Sequence, residues 1–206
     1  MKFTICDEDK VFPYLIVDNL YSKKEQKLIW EELIFHKDNF KIDDKTGGAG
    51  VAKDENGKPL ANATRLYLDD TYRNNRQDSN ILNFYTKIIS PKVKEAYRQT
   101  TPSWRLFEIT NQDNSQVSYY ENEGDYKEHF DKYMHTALIW FYKEPRRFKG
   151  GDLTFTQSTR TVECKHNRMV LFPSYYLHAV DEVSMEYKYR GKGLGRYCLT
   201  HFYNKG

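Results

Sequence analysis

A chain of 206 residues with a net charge of +3 is long enough for one domain with a real core, and its 17 tyrosines and 12 phenylalanines exclude a disordered chain. Its basic residues are scattered among nearly as many acids, and no apolar run approaches the ~20 residues that span a bilayer, so neither nucleic acid nor membrane is an expected partner. Three cysteines without metal-like spacing, and an N-terminus that turns acidic too early for a signal peptide, lead to the expectation of a cytoplasmic protein.

In chain order, "VFPYLIV" reads as a short strand and is followed by a helix start. Ser22 and Glu25 have the spacing of a capping box, with Tyr21 ahead as a staple, and Leu28, Ile29 and Leu33 form one apolar stripe. Residues 44–62, rich in Gly, Asp, Asn and Lys, read as a long mobile loop over a cleft. Their "GGAG" has no GK[ST] after it and is not a phosphate loop. A second helical region covers 79–98, ended or kinked by Pro91. "ATRLYLDDTYRNNR" between them reads as an edge strand and loop. From 104 onward the texture changes to short strand-like runs ("WRLFEIT", "SQVSYY", "TALIWFY", "DLTFT", "RMVLFP", "RYCLTHFYN"), parted by the turn signals "NQDN", "ENEGD" and "KGGD". Helices followed by many short strands predict a mainly β fold, a sandwich or jelly roll buttressed by helices. The division falls into 1–103 (N-terminal strand, helices and loop) and 104–206 (β core).

Within "YKEHFDKYMH", residues two apart on a strand share a face, so His129 and Asp131 point into one cavity. His135, six positions on, lies ~20 Å away along an extended strand. A third ligand must come from elsewhere, and His36, His166, His178 and His201 are available. His36 suits a helix end, His166 sits in a solvated turn, His201 lies in the last strand, and His178 follows "RMVLFP" at a strand end where a cavity mouth would open. Two histidines and one carboxylate leave coordination positions open, as non-haem Fe(II) oxygenases require. Zinc hydrolases also use such sets.

The elements "SYYENEGDYKEHFD", "TALIWFY", "GGDLTF", "RMVLFPSYYLHAV" and "GRYCLTHFY" occur in one order over residues 117–204, preceded by "FPYLIVDNLYS" and a helix. In this the chain resembles the 2-oxoglutarate/Fe(II)-dependent dioxygenase superfamily, in its prolyl 4-hydroxylase-like branch. The resemblance implies a double-stranded β-helix with supporting helices packed on its major sheet. It implies His129, Asp131 and His178 as Fe(II) ligands, 2-oxoglutarate as co-substrate, and ascorbate as an accessory.

The far carboxylate of 2-oxoglutarate needs a cation. Parity puts Arg196, Cys198, Thr200 and Phe202 on one face of the last strand, and an inward arginine on an apolar strand calls for an anion. Lys188 and Arg190 lie nearer the family's usual spacing, but inside a charged insertion. Thr200 is a further donor, Trp140 (with Tyr142 two residues on) takes the register of a family tyrosine, and Tyr120 and Tyr126 match tyrosines that line the cavity. The implied reaction is hydroxylation of a peptidyl prolyl residue with release of succinate and CO2. The alternatives are a small-molecule or free amino acid substrate in the same superfamily, and a non-catalytic jelly-roll binding module.

Overall fold

In the computed structural model, which describes residues 1–42, 50–100 and 102–206, strand β1 (Lys2–Cys6) pairs antiparallel with β2 (Tyr14–Asp18). The capping signal then starts helix α1 (Lys23–Phe35). Ser22 Oγ accepts from the Glu25 N–H while the Glu25 carboxylate accepts from the Ser22 N–H at 2.7 Å, a reciprocal cap worth about 1 kcal/mol. Tyr21 is tied by a hydrogen bond rather than an apolar staple: its carbonyl accepts from Gln26 Nε2 at 2.8 Å. Ile29 and Leu33 are buried, and Leu28 is only half-buried. The same face buries Glu32, whose carboxylate accepts from Ser79 Oγ (2.6 Å) and from the Ile81 N–H (3.0 Å). An acid invisible to a hydrophobic stripe therefore locks the next helical segment.

Strands β3 (Lys41–Ile42) and β4 (Thr64–Tyr67) follow, with β3 outermost, so the "ATRLY" strand is not an edge. Helix α2 (Leu68–Thr71) replaces the loop expected behind it. Of the loop expected over 44–62, residues 44–49 lie outside the described residues. The remainder is clipped down by main-chain bonds, from the Lys127 N–H to Leu60 O (2.9 Å) and from the Asn62 N–H to Asp125 O (2.9 Å). The single helix expected over 79–98 is broken into α3 (Asn80–Asn83), a 3-10 turn and α4 (Pro91–Arg98). Pro91 opens α4 instead of closing a helix, because its missing N–H is one of the donors a first turn leaves unpaired anyway. "WRLFEIT", expected as a strand, forms helix α5 (Trp104–Glu108), and "NQDN", expected as a turn, enters the first core strand. The β core therefore starts at 112, not 104.

The core strands are β5 (Gln112–Tyr120), β6 (Tyr126–His129), β7 (His135–Phe141), β8 (Phe148–Lys149), β9 (Leu153–Phe155), β10 (Arg160–Val162), β11 (Arg168–Pro173), β12 (His178–Val180), β13 (Ser184–Met185) and β14 (Arg196–Asn204). The major sheet runs β1-β2-β11-β7-β14-β5-β4-β3, and a minor sheet runs β10-β9-β12-β6. All seven residues of β7 are buried, as befits a strand covered on both faces. The major sheet packs the alternate residues Leu66, Val117, Ile139, Leu171 and Leu199 against the helices. Its other face contributes Leu138, Trp140, Val170, Phe172 and Cys198 to a second cluster with Leu153, Phe155 and Val180 of the minor sheet. Each fully buried aliphatic or aromatic side chain contributes ~1.5–3 kcal/mol to this sandwich. The two sheets make the expected jelly roll, mainly β with its helices on the major sheet.

Candidate metal centre and its cavity

A cavity of about 810 Å³ opens between the sheets. His129 ends β6 and His178 begins β12; the two are paired in register across the minor sheet, with ring centroids 4.3 Å apart. Asp131 lies just past β6. Its carboxylate oxygens stand 3.8 Å from His129 Nε2 and 3.6 Å from His178 Nε2. One donor atom from each of the three residues falls within 4.8 Å of the others.

Each ligand atom is aimed by a second contact. His129 Nδ1 donates to Lys127 O and His178 Nδ1 to Tyr176 O, both at 2.8 Å. A carbonyl accepts only, so both imidazoles carry a proton on Nδ1 and turn Nε2 to the cavity as the ligand atom. Asp131 Oδ2 accepts from Thr136 Oγ1 (2.7 Å), which also meets Ser174 Oγ (2.8 Å), and the Asp131 N–H donates to Ser174 O (3.0 Å). Burial raises the Asp131 carboxyl above the usual range, opposed by His178 and Thr136. Burial, reinforced by His178, pulls His129 down to about 3. An imidazole held neutral at His129, beside a carboxylate that gains from a nearby cation, suits a divalent metal.

Arg196 is fully buried at the cavity, and its Nε, Nη1 and Nη2 have no protein partner. Its guanidinium lies 4.7 Å from the centroid of Tyr120 and 5.7 Å from that of Trp140. Space for it depends on Gly151: φ is +75°, and a Cβ there would come 2.7 Å from Arg196 Cδ. Cys198, Thr200 and Phe202 share the cavity wall with Arg196, as parity predicts. Tyr120 also lines it, whereas Trp140 is sealed behind Arg196 and its place on the wall falls to Leu138. Trp140 Nε1 is buried without a partner. Tyr142 packs instead on Phe148 and His166. Lys188 and Arg190 sit at the surface, the first paired with Glu186 at 2.7 Å and the second donating to Met185 O.

The other histidines lie elsewhere. His36 caps α1 and meets Tyr72 Oη at 2.8 Å, and His201 meets Ser115 Oγ at 2.7 Å. His135 is buried between Tyr97 and Phe107. His166 is not solvated: its ring stacks on Trp30, accepts from the Tyr142 N–H and meets Gln26 Oε1 at 3.1 Å.

Sequence reading missed Arg65 of β4, which is 3 % exposed and sits opposite Ser118 on the cavity face of the sheet. Its parity with Tyr67 was the available signal. The stretch reads as an edge strand, on which an arginine needs no explanation. The coupling of Tyr126 was missed too: its ring stacks on His129 at 3.5 Å and 14°, and its hydroxyl accepts from the Ala52 N–H at 2.9 Å.

Residues 115–204 match the family model of the 2OG-Fe(II) oxygenase superfamily. Among solved structures, a prolyl 4-hydroxylase from Pseudomonas putida is similar over 97 % of this chain and 96 % of its own, with a TM-score of 0.59 at 15 % identity. A Trichoplax adhaerens prolyl hydroxylase, in complex with a hypoxia inducible factor oxygen degradation domain peptide fragment, covers 93 % and 83 % (TM-score 0.57, 11 % identity). A viral collagen prolyl hydroxylase from Paramecium Bursaria Chlorella virus-1 covers 97 % and 98 % (TM-score 0.54, 14 % identity). No curated protein matches the chain by sequence. Residues 115–204 thus match a superfamily of dioxygenases that use Fe(II) and 2-oxoglutarate, and the chain shares its fold with the solved prolyl hydroxylases. The binding-module reading is set aside on this finding.

Proposed function

We propose that residues 1–206 act as one catalytic domain that hydroxylates a peptidyl prolyl residue and releases succinate and CO2. His129, Asp131 and His178 hold the iron, and Arg196 pairs the far carboxylate of 2-oxoglutarate, with Tyr120 and Thr200 beside it. Trp140 enters this reading as the floor under Arg196. The observation that carries it is the meeting, in one cavity, of a three-donor set with a buried arginine that has no partner of its own. Burying a cation without an anion costs several kcal/mol, so a dicarboxylate fits the donors present.

When bound, iron and co-substrate supply oxygen activation coupled to decarboxylation. The chain supplies the rest. Lys127 O and Tyr176 O fix both imidazoles, while Thr136 and Ser174 hold the Asp131 carboxylate in register with them. Val51, Ala52, Lys53 and Leu60 form part of the cavity wall. A peptide substrate is supported by the prolyl hydroxylase neighbours, one of them with a peptide fragment. Three free cysteines suit a reducing, cytoplasmic setting, and among the described residues no helix is long and apolar enough to cross a membrane.

The test is anaerobic addition of Fe(II) and 2-oxoglutarate, watching for a visible metal-to-ligand charge-transfer band. Succinate release is then assayed with proline-containing peptides, with and without ascorbate. A band lost in His129→Ala and a hydroxyproline product are expected. A band with no peptide turnover, but turnover of free amino acids, would replace the substrate assignment.

A further inference from the structure

The cavity face of the major sheet carries two buried arginines, and 2-oxoglutarate accounts for one. Arg196 on β14 lies opposite Tyr120, and Arg65 on β4 lies opposite Ser118, one step along the same face of β5. Arg65 is 3 % exposed, with Nε and Nη1 buried and without partners, and no ion pair joins it to a carboxylate among the described residues. Its guanidinium sits 5.3 Å from the Tyr126 ring centroid, on the side of the cavity that carries His129. Asp131 is already engaged by Thr136 and the two imidazoles. A π-face offsets only part of the cost of burying a guanidinium, ~0.5–2 kcal/mol. The remaining N–H groups ask for an oxygen anion, as those of Arg196 do.

Two further observations place that anion on the substrate. Arg65 lies behind the lining, opposite Ser118, and Gln116, two residues before Ser118 on that same face of β5, lines the cavity with Oε1 buried and unmet, so this side of the site holds unsatisfied donor and acceptor together. Among the described residues the lining also carries Lys53 and Lys132, with Glu128 and Asp131 of the three-donor set as its acids, so an arriving carboxylate passes two lysines. From this arrangement we propose that Arg65 is a specificity-determining residue that seats a carboxylate of the substrate, so that the preferred substrate is acidic, a peptide with Asp or Glu beside the target residue. This rests on the peptidyl reading above and narrows it. The carboxylate recognised is the same whether it comes from an acidic side chain or from a free acid, and the test separates the two.

The probes are matched pairs: a short proline peptide with Glu flanking the proline and its Gln twin, and free proline against prolinamide. Binding to protein loaded with Fe(II) and 2-oxoglutarate without oxygen is followed by intrinsic fluorescence. In the wild type the acidic peptide binds at least tenfold tighter than its twin, and raised salt weakens the preference. In Arg65→Gln the preference falls to within twofold, while 2-oxoglutarate affinity stays within twofold of wild type. Arg65→Lys keeps the charge without the fork and retains part of the preference. Near-UV circular dichroism of both variants reports that the core is intact.

Equal binding of the peptide twins and of the free-acid pair, or no binding of either member of both pairs, overturns the proposal. So does a preference that survives in Arg65→Gln, or a variant that loses 2-oxoglutarate instead. A preference seen only in the free-acid pair, and abolished in Arg65→Gln, upholds Arg65 as the carboxylate anchor and sinks the peptide reading instead.

Discussion

Strand β14 presents two different proteins on its two faces. Toward the helices, Tyr197, Leu199, His201 and Tyr203 enter a layer of aliphatic and aromatic contacts. Toward the minor sheet, Arg196, Cys198, Thr200 and Phe202 line a cavity beside groups whose hydrogen bonds are unmet. The first face holds the fold together. The second is locally unfavourable until something binds, which is how a stable scaffold keeps a site poised for charged ligands.

Substitutions on either side should separate these roles. The largest effect is expected at the three-donor set. His129→Ala, Asp131→Ala or His178→Ala should lower succinate formation by three orders of magnitude or more, with a melting temperature in the metal-free protein no lower than wild type. Full turnover in any one of them would remove that residue from the set. Arg196→Met should raise the KM for 2-oxoglutarate by about two orders of magnitude and leave the ligand-free protein as stable or more so, since an unpaired buried cation is replaced by apolar volume. Isothermal titration and calorimetric melting read the two quantities.

On the opposite face, Leu199→Ala should cost about 2–5 kcal/mol of stability in denaturant titration, while the folded fraction keeps its KM for 2-oxoglutarate. Acid should act on the same face. Burial pulls His135 and His201 down to about 4, from an ordinary 6.5. Between those values the unfolded chain takes up protons that the folded one refuses. Stability is therefore complete above about pH 6.5 and lost as the pH falls toward 4, by a few kcal/mol in all. Melting temperature against pH should lose about half of its slope over that window in His135→Phe, with His201 carrying the rest. The smallest effect belongs to Ser22→Ala, which opens the α1 cap for about 1 kcal/mol and leaves activity unchanged.

The strands from 112 onward and the inward face of β14 were legible in the sequence because period-two alternation is strict where one face is apolar and the other lines a cavity. Arg196 stood out for the same reason, as the one charge in such a strand. The helical layer was less legible. Glu32 stabilises α3 by capping it from another helix, and no local pattern reveals a cap supplied across 47 positions. "WRLFEIT" carries β-favouring residues yet turns helical, where Phe107 packs on Tyr97 and His135. Tertiary packing overrides propensity there. Arg65 stayed hidden because β4 is four residues long, too short to display its parity, and its partners on β5 lie 49 or more positions away in sequence.

The stacking of Trp140 beneath Arg196 has an optical consequence. The other two tryptophans, Trp30 and Trp104, sit on α1 and α5, one against His166 and the other under Arg98. Only Trp140 has Arg196 over its ring, at 5.7 Å. An anion arriving at that guanidinium cancels the field felt by the indole, and emission from this single ring shifts in wavelength. With Trp30 and Trp104 replaced by phenylalanine, the protein becomes its own label-free sensor of occupancy at Arg196, readable in oxygen-free solution and in real time.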